Sequence, residues 1–98
     1  MSWATRAIDA LGRGEKVQIR PRGNSMKGKV DDGNLVTIEP WPAEQLKVGD
    51  IVLCRVNGND YLHLIKAADG GRFLIGNNKG GTNGWTRTVY GKVTKVEV

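Results

Sequence analysis

The sequence contains a single cysteine, Cys54, and a single histidine, His63. One cysteine cannot form a disulfide within the chain, and one cysteine with one histidine provides no cluster of metal ligands. We therefore expect a reducing, cytoplasmic setting and a protein without a metal or other cofactor. Cys54 lies in an apolar, strand-like segment, where a cysteine is more often a packing residue than a reactive thiol.

Long hydrophobic runs and blocks of like charge are also missing. No stretch approaches the roughly 18 apolar residues of a membrane-spanning helix, and the first residues carry no apolar signal-peptide core. We therefore expect no membrane partner. The net charge is +5, but no run of five or more like charges occurs. Scattered basic residues favour a solubilised surface over a nucleic-acid-binding patch, although the charge leaves nucleic acid open as a partner.

The 98 residues predict one domain, residues 1–98, because a chain this short supports a single modest core. Residues 1–14 are predicted to form an N-terminal helix and turn, and residues 17–98 the β-fold core. Apolar residues recur at helical spacing over residues 3–11, at Trp3, Ala7, Ile8 and Leu11. Glycine is typical of helix ends, so Gly12 and Gly14 mark where the helix stops.

Six short segments have the alternation or β-branched composition of strands. They are residues 17–20, 35–39, 51–56, 61–66, 72–75 and 88–98. Turn signals separate them, the clearest being residues 57–60 (NGND) and 69–71 (DGG). Short strands separated by frequent turns predict an all-β barrel or rolled sheet. The Gly- and Asn-rich residues 77–84 are predicted to be a flexible loop.

Ser25 stands out because of the residues around it. It lies in the segment RGNSM, residues 22–26, after a strand-like run and before a glycine-rich turn. A serine that acts as a nucleophile needs a base and a tight turn that exposes its Oγ, and Gly23 and Gly28 permit such a turn. Alone, a Gly-x-Ser sequence is weak, since turns are rich in both residues.

Four blocks in a fixed order strengthen the signal. The first is the Ser25-Met26 pair with the Asp-Gly pair, the strand and Pro40 that follow it, and the second is GDIV at residues 49–52. LHLI at residues 62–65 and IGNN at residues 75–78 come next. This order resembles the serine peptidase superfamily that holds LexA-type repressors and type I signal peptidases. One departure is Gly28, where many relatives have proline.

The resemblance runs from about residue 17 to the end of the chain and implies the fold. It implies an all-β, coiled or rolled antiparallel sheet of the LexA C-terminal and signal peptidase type, with a short N-terminal helix. Relatives bind an extended peptide by strand addition beside the active site, so we expect a peptide or protein substrate bound as an added β-strand.

The resemblance also implies the chemistry. Ser25 would be the nucleophile and His63 the base, as in the histidine-type branch of the family, with Gly23, Asn24 and Met26 forming the turn. The oxyanion hole would be the Ser25 backbone N–H. An ordinary histidine pKa near 6.5 suits proton transfer at neutral pH. If so, Ser25 Oγ and a nitrogen of His63 lie within hydrogen-bond reach.

Two positions leave alternatives open. Lys66 is the competing base, but strand alternation places residues 63 and 66 on opposite faces unless a bulge intervenes. Histidine-type relatives also have an acid that orients the imidazole. Here Asn77 stands where that Asp is expected, and Asn83 stands near a second one. An asparagine orients an imidazole but does not stabilise its cation as a carboxylate does.

The sequence therefore predicts a small cytoplasmic serine peptidase that hydrolyses a peptide bond through a Ser-His dyad. One alternative is a weak or inactive peptidase-fold binding module, for example an accessory protein of a phage or mobile element. A second is a basic nucleic-acid-binding β-domain. The residues before Ser25 contain neither Ala-Gly nor Cys-Gly, the cleavable dipeptides of LexA-type repressors, so we expect no self-cleavage.

Overall fold

An antiparallel sheet dominates the computed structural model, which describes residues 3–98. The elements, in chain order, are α1 (Thr5–Gly12), β1 (Val17–Ile19), β2 (Leu35–Glu39), a short 3-10 helix (Ala43–Gln45), β3 (Ile51–Val56), β4 (Asn59–Asp69), β5 (Arg72–Gly76), β6 (Thr82–Thr86) and β7 (Val89–Glu97). The seven strands form one sheet in the order β1-β2-β7-β3-β4-β5-β6. The predicted all-β fold with a short N-terminal helix is confirmed.

The sheet coils, so that its β6 edge returns to β3. The Thr86 hydroxyl donates to the carbonyl of Arg55 at 2.6 Å, and the Arg55 N–H donates to the carbonyl of Thr88 at 3.0 Å. Register shifts interrupt four of the six strand pairings. Such bulges bend strands and increase their twist, which is how a sheet of short strands rolls up.

Two apolar clusters fill the two sides of the rolled sheet. One lies under α1 and includes Leu11, Ile38 and Leu53. The other lies on the opposite side of β3 and includes Val52 and Cys54. Successive side chains of a strand point to opposite faces, so β3 contributes to both clusters and is the centre of the core.

Two sequence predictions about local structure need correction. Residues 77–84 are not one loop, because β6 begins at Thr82 and pairs with β5. The strand was missed because the segment TNGWT lacks alternation and contains a glycine. Trp3 does not lie on the apolar face of the helix either. It precedes α1 and is 55% exposed, whereas Ala4 is fully buried.

The other predicted segments match the observed strands within a few residues. The NGND turn is a tight hairpin between β3 and β4, in which Asn57 has φ 50° and Gly58 has φ 82°. These positive angles suit the right-handed twist of the two strands. No helix within residues 3–98 is long and apolar enough to cross a membrane.

Candidate active site

Ser25 lies in the connection between β1 and β2, in a segment called here the Ser25 turn (residues 20–34). Ser25 itself is exposed, but its neighbours are anchored. Met26 and Val30 are 4% and 5% exposed and pack into the cluster under α1. The N–H groups of Lys29 and Val30 donate to the Met26 carbonyl at 2.9 and 2.8 Å. The buried side chains hold the turn down while Ser25 faces solvent.

Carboxylates of the same turn bind its backbone. The N–H of Gly23 donates to Asp32 Oδ1 at 2.8 Å, and the N–H of Gly28 donates to Asp31 Oδ1 at 3.0 Å. These local side-chain bonds satisfy backbone groups that have no strand or helix partner. They fix the chain on both sides of Ser25.

The backbone conformation explains why position 28 is a glycine. Gly28 adopts φ +97°, a region that other residues rarely enter and that proline, fixed near −65°, cannot enter. The departure from the proline of many relatives is therefore consistent with this turn. Gly23 is similar, with φ +104°.

His63 lies on β4 within the core of the sheet. It pairs with Val52 of β3 and is 8% exposed. The Tyr61 ring stacks on the imidazole with a centroid distance of 5.1 Å. Burial lowers the pKa of His63 below its ordinary value, and the hydrogen bond that its Nδ1 donates to Asn83 opposes that shift. The imidazole is therefore neutral at pH 7 and able to accept a proton.

Three side chains form a continuous hydrogen-bonded array. Ser25 Oγ lies 3.1 Å from His63 Nε2, and His63 Nδ1 lies 2.7 Å from Asn83 Oδ1. An amide oxygen only accepts hydrogen bonds, so Nδ1 carries the proton and Nε2 accepts from the Ser25 hydroxyl. The separation between Ser25 and His63 is within the expected reach. Their catalytic roles stay a prediction.

Of the two candidates for orienting the imidazole, Asn83 contacts it and Asn77 does not. Asn83 is the extra residue of a β6 bulge, because Ile75 pairs with Gly84 and Gly76 with Thr82. A bulge redirects a side chain relative to simple alternation. The Asn77 side chain instead accepts the N–H groups of residues 79 and 81 at 2.8 and 2.9 Å, closing its own turn.

Asn78 lies in the segment between β5 and β6 and links that segment to the Ser25 turn. Its N–H donates to the Ser25 carbonyl at 2.9 Å, and its side-chain Nδ2 donates to the Lys27 carbonyl at 2.8 Å. Sequence reasoning missed this role, because it treated Asn78 as part of a flexible loop. The signal available was its place in the IGNN block.

The Peptidase S24-like family model matches residues 9–84, well over half of the chain. The chain belongs to this family. The matched span includes the whole array of Ser25, His63 and Asn83. No curated protein matches the chain.

Within residues 3–98, neither Lys66 nor Cys54 forms a hydrogen bond with Ser25 or His63. Lys66 is itself the extra residue of a β4 bulge, so the alternation argument against it does not hold. Its stem lies against Gly76, where an added Cβ would come within 2.9 Å of Lys66 Cε. Cys54 is buried in the core, and burial raises the pKa of its thiol to about 12. A thiol with that pKa is not a nucleophile at neutral pH.

A cleft of about 650 Å³ opens beside Ser25 and His63. It lies between the end of β1 and the start of β4. β4 pairs with β5 only from Leu64 onward, so within residues 3–98 its segment 59–63 has a strand partner on the β3 side alone. This family member therefore presents an open strand edge next to the serine.

Proposed function

We propose that this protein is a serine peptidase that hydrolyses a peptide bond with Ser25 as nucleophile and His63 as base. The observation that carries the proposal is the array of an exposed serine hydroxyl, a neutral imidazole at 3.1 Å and an amide oxygen at 2.7 Å. This is the geometry of a nucleophile, a base and a group that orients the base. The family supports the same reading.

The chemistry would proceed in two stages. Ser25 Oγ attacks the substrate carbonyl carbon while its proton passes to His63 Nε2, and the tetrahedral intermediate forms. His63 then gives that proton to the leaving amine, and an acyl-Ser25 ester remains. Water attacks the ester, His63 takes one proton from the water, and that proton returns to Ser25 Oγ as the acid product leaves.

The backbone N–H of Ser25 is available as an oxyanion donor. Within residues 3–98 no hydrogen bond from this group is found. A donor that is fixed and uncommitted is suited to the charge that develops on the substrate oxygen. On either side of that N–H, Gly23 and Gly28 adopt backbone angles that other residues rarely adopt, which supports a turn specialised around Ser25.

The substrate would bind as an extended strand. Within residues 3–98, β5 pairs with β4 only from Leu64 onward, so the edge of β4 at residues 61–63 offers backbone groups to a peptide, and β1 ends on the other side of the cleft. A strand added here brings a peptide carbonyl toward Ser25.

A second candidate function is a peptide-binding module with little turnover, and Asn83 favours it. An amide orients the imidazole but supplies no negative charge to stabilise the imidazolium that forms during attack. A Ser-His pair with a neutral third partner is therefore a weaker base system than one with a carboxylate.

A fluorophosphonate probe separates the two candidates. The chain contains two serines, Ser2 and Ser25, so Ser2→Ala is a matched control. We expect the wild type and Ser2→Ala to gain one adduct by intact mass, and Ser25→Ala to gain none while melting at a similar temperature. A wild type without an adduct would favour the binding module.

A further inference from the structure

Apolar atoms form the larger part of the surface of the cleft beside Ser25, and many of them belong to apolar side chains. They come from four places in the chain and include Trp3, Ile19, Met26, Val30 and Leu62. Its volume of about 650 Å³ lies within the usual range of ligand sites, about 300–1,000 Å³. The cleft is therefore large enough for side chains as well as for a peptide backbone.

Most charged groups of the cleft are already engaged by the protein. Arg20 donates to a backbone carbonyl of the Ser25 turn at 2.8 Å, and Asp31 accepts an N–H of that turn at 3.0 Å. Asp60 pairs with an arginine of β3 at 2.8 Å. Arg22 also lines the cleft; it is exposed, and within residues 3–98 no hydrogen bond or ion pair from its side chain is found. Charge is thus a poor basis for recognition inside the cleft, and apolar contact is a good one.

Trp3 is the unusual member of the lining. It is 55% exposed, although the next residue, Ala4, is fully buried and its carbonyl accepts the N–H of Ile8 at 2.9 Å. The start of α1 is thus packed in place while the indole faces the cleft. A large exposed apolar side chain in a concave site is typical of a ligand-binding surface.

We propose that this cleft binds a bulky apolar side chain of the substrate, such as Leu or Phe, close to the bond that Ser25 attacks, and that Trp3 forms a wall of this subsite. The inference rests on the proposed peptidase function. An extended peptide on the edge of β4 points alternate side chains to the same side. One of them projects between Trp3 and Leu62 while the backbone passes Ser25.

Synthetic peptides test the subsite. The substrates are capped octapeptides of Gly and Ser that carry one Leu or Phe at each internal position in turn, with all-Gly/Ser peptides as the reference. Products are identified by mass spectrometry with the wild type, Trp3→Ala and Trp3→Phe. Trp85→Ala is the matched control, because Trp85 is also exposed, at 42%, but lies on β6 outside the cleft lining.

We expect the wild type to cleave the Leu and Phe peptides at least about tenfold faster than the reference, the effect of burying one such side chain. The break should keep a constant distance from the apolar residue. Trp3→Ala should lose most of this preference, whereas Trp3→Phe and Trp85→Ala keep it. Equal cleavage of all peptides, or a preference that survives in Trp3→Ala, would overturn the subsite while leaving the peptidase intact.

If the wild type cleaves none of the peptides, a binding measurement tests the subsite instead. In a variant with Trp41→Phe and Trp85→Phe, Trp3 is the remaining tryptophan and its emission reports on the cleft. If the Trp3 emission shifts with the Leu and Phe peptides but not with the reference peptides, the subsite is supported and the proposed peptidase function is rejected. No shift with any peptide at millimolar concentration overturns both.

Discussion

The two halves of the candidate site are built in different ways. His63 lies on a strand with neighbours in the core, and the stacked Tyr61 and the bulged Asn83 fix its ring. Ser25 lies in an irregular turn whose order comes from side chains that bind backbone groups. The base is therefore held by paired strands of the sheet, and the nucleophile by a small number of local bonds together with the buried side chains of Met26 and Val30.

The difference indicates where the site tolerates change. Burial and ladder hydrogen bonds make a core strand the most stable part of a structure, whereas irregular surface segments open more readily. A change in the Ser25 turn should therefore affect reactivity more than stability. A change in β4 should affect both.

The largest effect should come from His63→Gln. Loss of general-base catalysis slows the reaction by about 10²–10⁴-fold, and because the residue is 8% exposed the melting temperature should also fall. The measurement is the rate of fluorophosphonate labelling beside a thermal melt. Lys66→Gln is the control and should label at the wild-type rate. The reverse result, with Lys66→Gln inert and His63→Gln reactive, would make Lys66 the base.

Gly28→Ala should disturb the Ser25 turn and leave the part of the site around His63 intact. An alanine at φ +97° costs about 1–2 kcal/mol of stability, and a small displacement of Ser25 slows labelling by about 10–100-fold. Gly14→Ala is the matched control, because Gly14 also has positive φ, at +82°, but follows α1. Both variants should lose similar stability, and only Gly28→Ala should label slowly. Equal labelling of the two would show that the turn tolerates displacement.

Asn78→Ala should weaken the link between the Ser25 turn and the segment between β5 and β6. It removes the side-chain bond to Lys27, which costs about 1 kcal/mol of stability, and a less fixed Ser25 should label about tenfold more slowly. Asn59→Ala is the control, since Asn59 also donates to a backbone carbonyl, but in the β3–β4 turn. Unchanged labelling in Asn78→Ala would limit the residue to a structural role.

The smallest effect should come from Asn83→Asp. Replacing a neutral partner with a charged one strengthens the hydrogen bond to His63 by about 1 kcal/mol, or about fivefold in rate. A carboxylate also raises the pKa of the imidazole. The rate–pH profile should therefore reach its plateau at higher pH in the variant, with faster labelling at pH 8. Asn77→Asp is the control and should match the wild type.

The wild-type profile follows from the lowered pKa of His63. Burial depresses it, so the base is mainly neutral at pH 7, and the rate should fall only when the pH drops below the ordinary value near 6.5. The unfolded chain binds that proton more readily than the folded one. Stability linked to His63 is therefore present above pH 6.5 and lost as the pH falls through the folded pKa. A midpoint above 6.5 would contradict the burial argument.

The sequence predicted the strands where composition and alternation agree. Residues 35–39 and 51–56 match β2 and β3 because each segment has apolar side chains that a buried sheet requires. β6 was not predictable in this way, since its pairing with β5 and its return to β3 stabilise a segment with little strand propensity of its own. Tertiary contacts decide such a strand.

The site shows the same limit. Ser25 and His63 were predicted as a pair from the order of the family blocks, and the structure brings them together. The choice between Asn77 and Asn83 depends on a bulge in β6, and the position of Lys66 depends on a bulge in β4. A bulge changes which face a side chain takes and leaves no periodic trace in the sequence. The link from Asn78 to the Ser25 turn spans 51 residues from Lys27, beyond any local pattern.

The position of β7 sets the order of events during synthesis. β7 comes last among the strands, yet it lies between β2 and β3 in the sheet, so it joins the part that carries Ser25 to the part that carries His63. Ribosomes add about 5–20 residues per second. Every residue of the site is therefore synthesised before the strand that unites the two parts exists. We expect Ser25 of the nascent protein to be unreactive until residues 89–97 have emerged from the ribosome and inserted between β2 and β3.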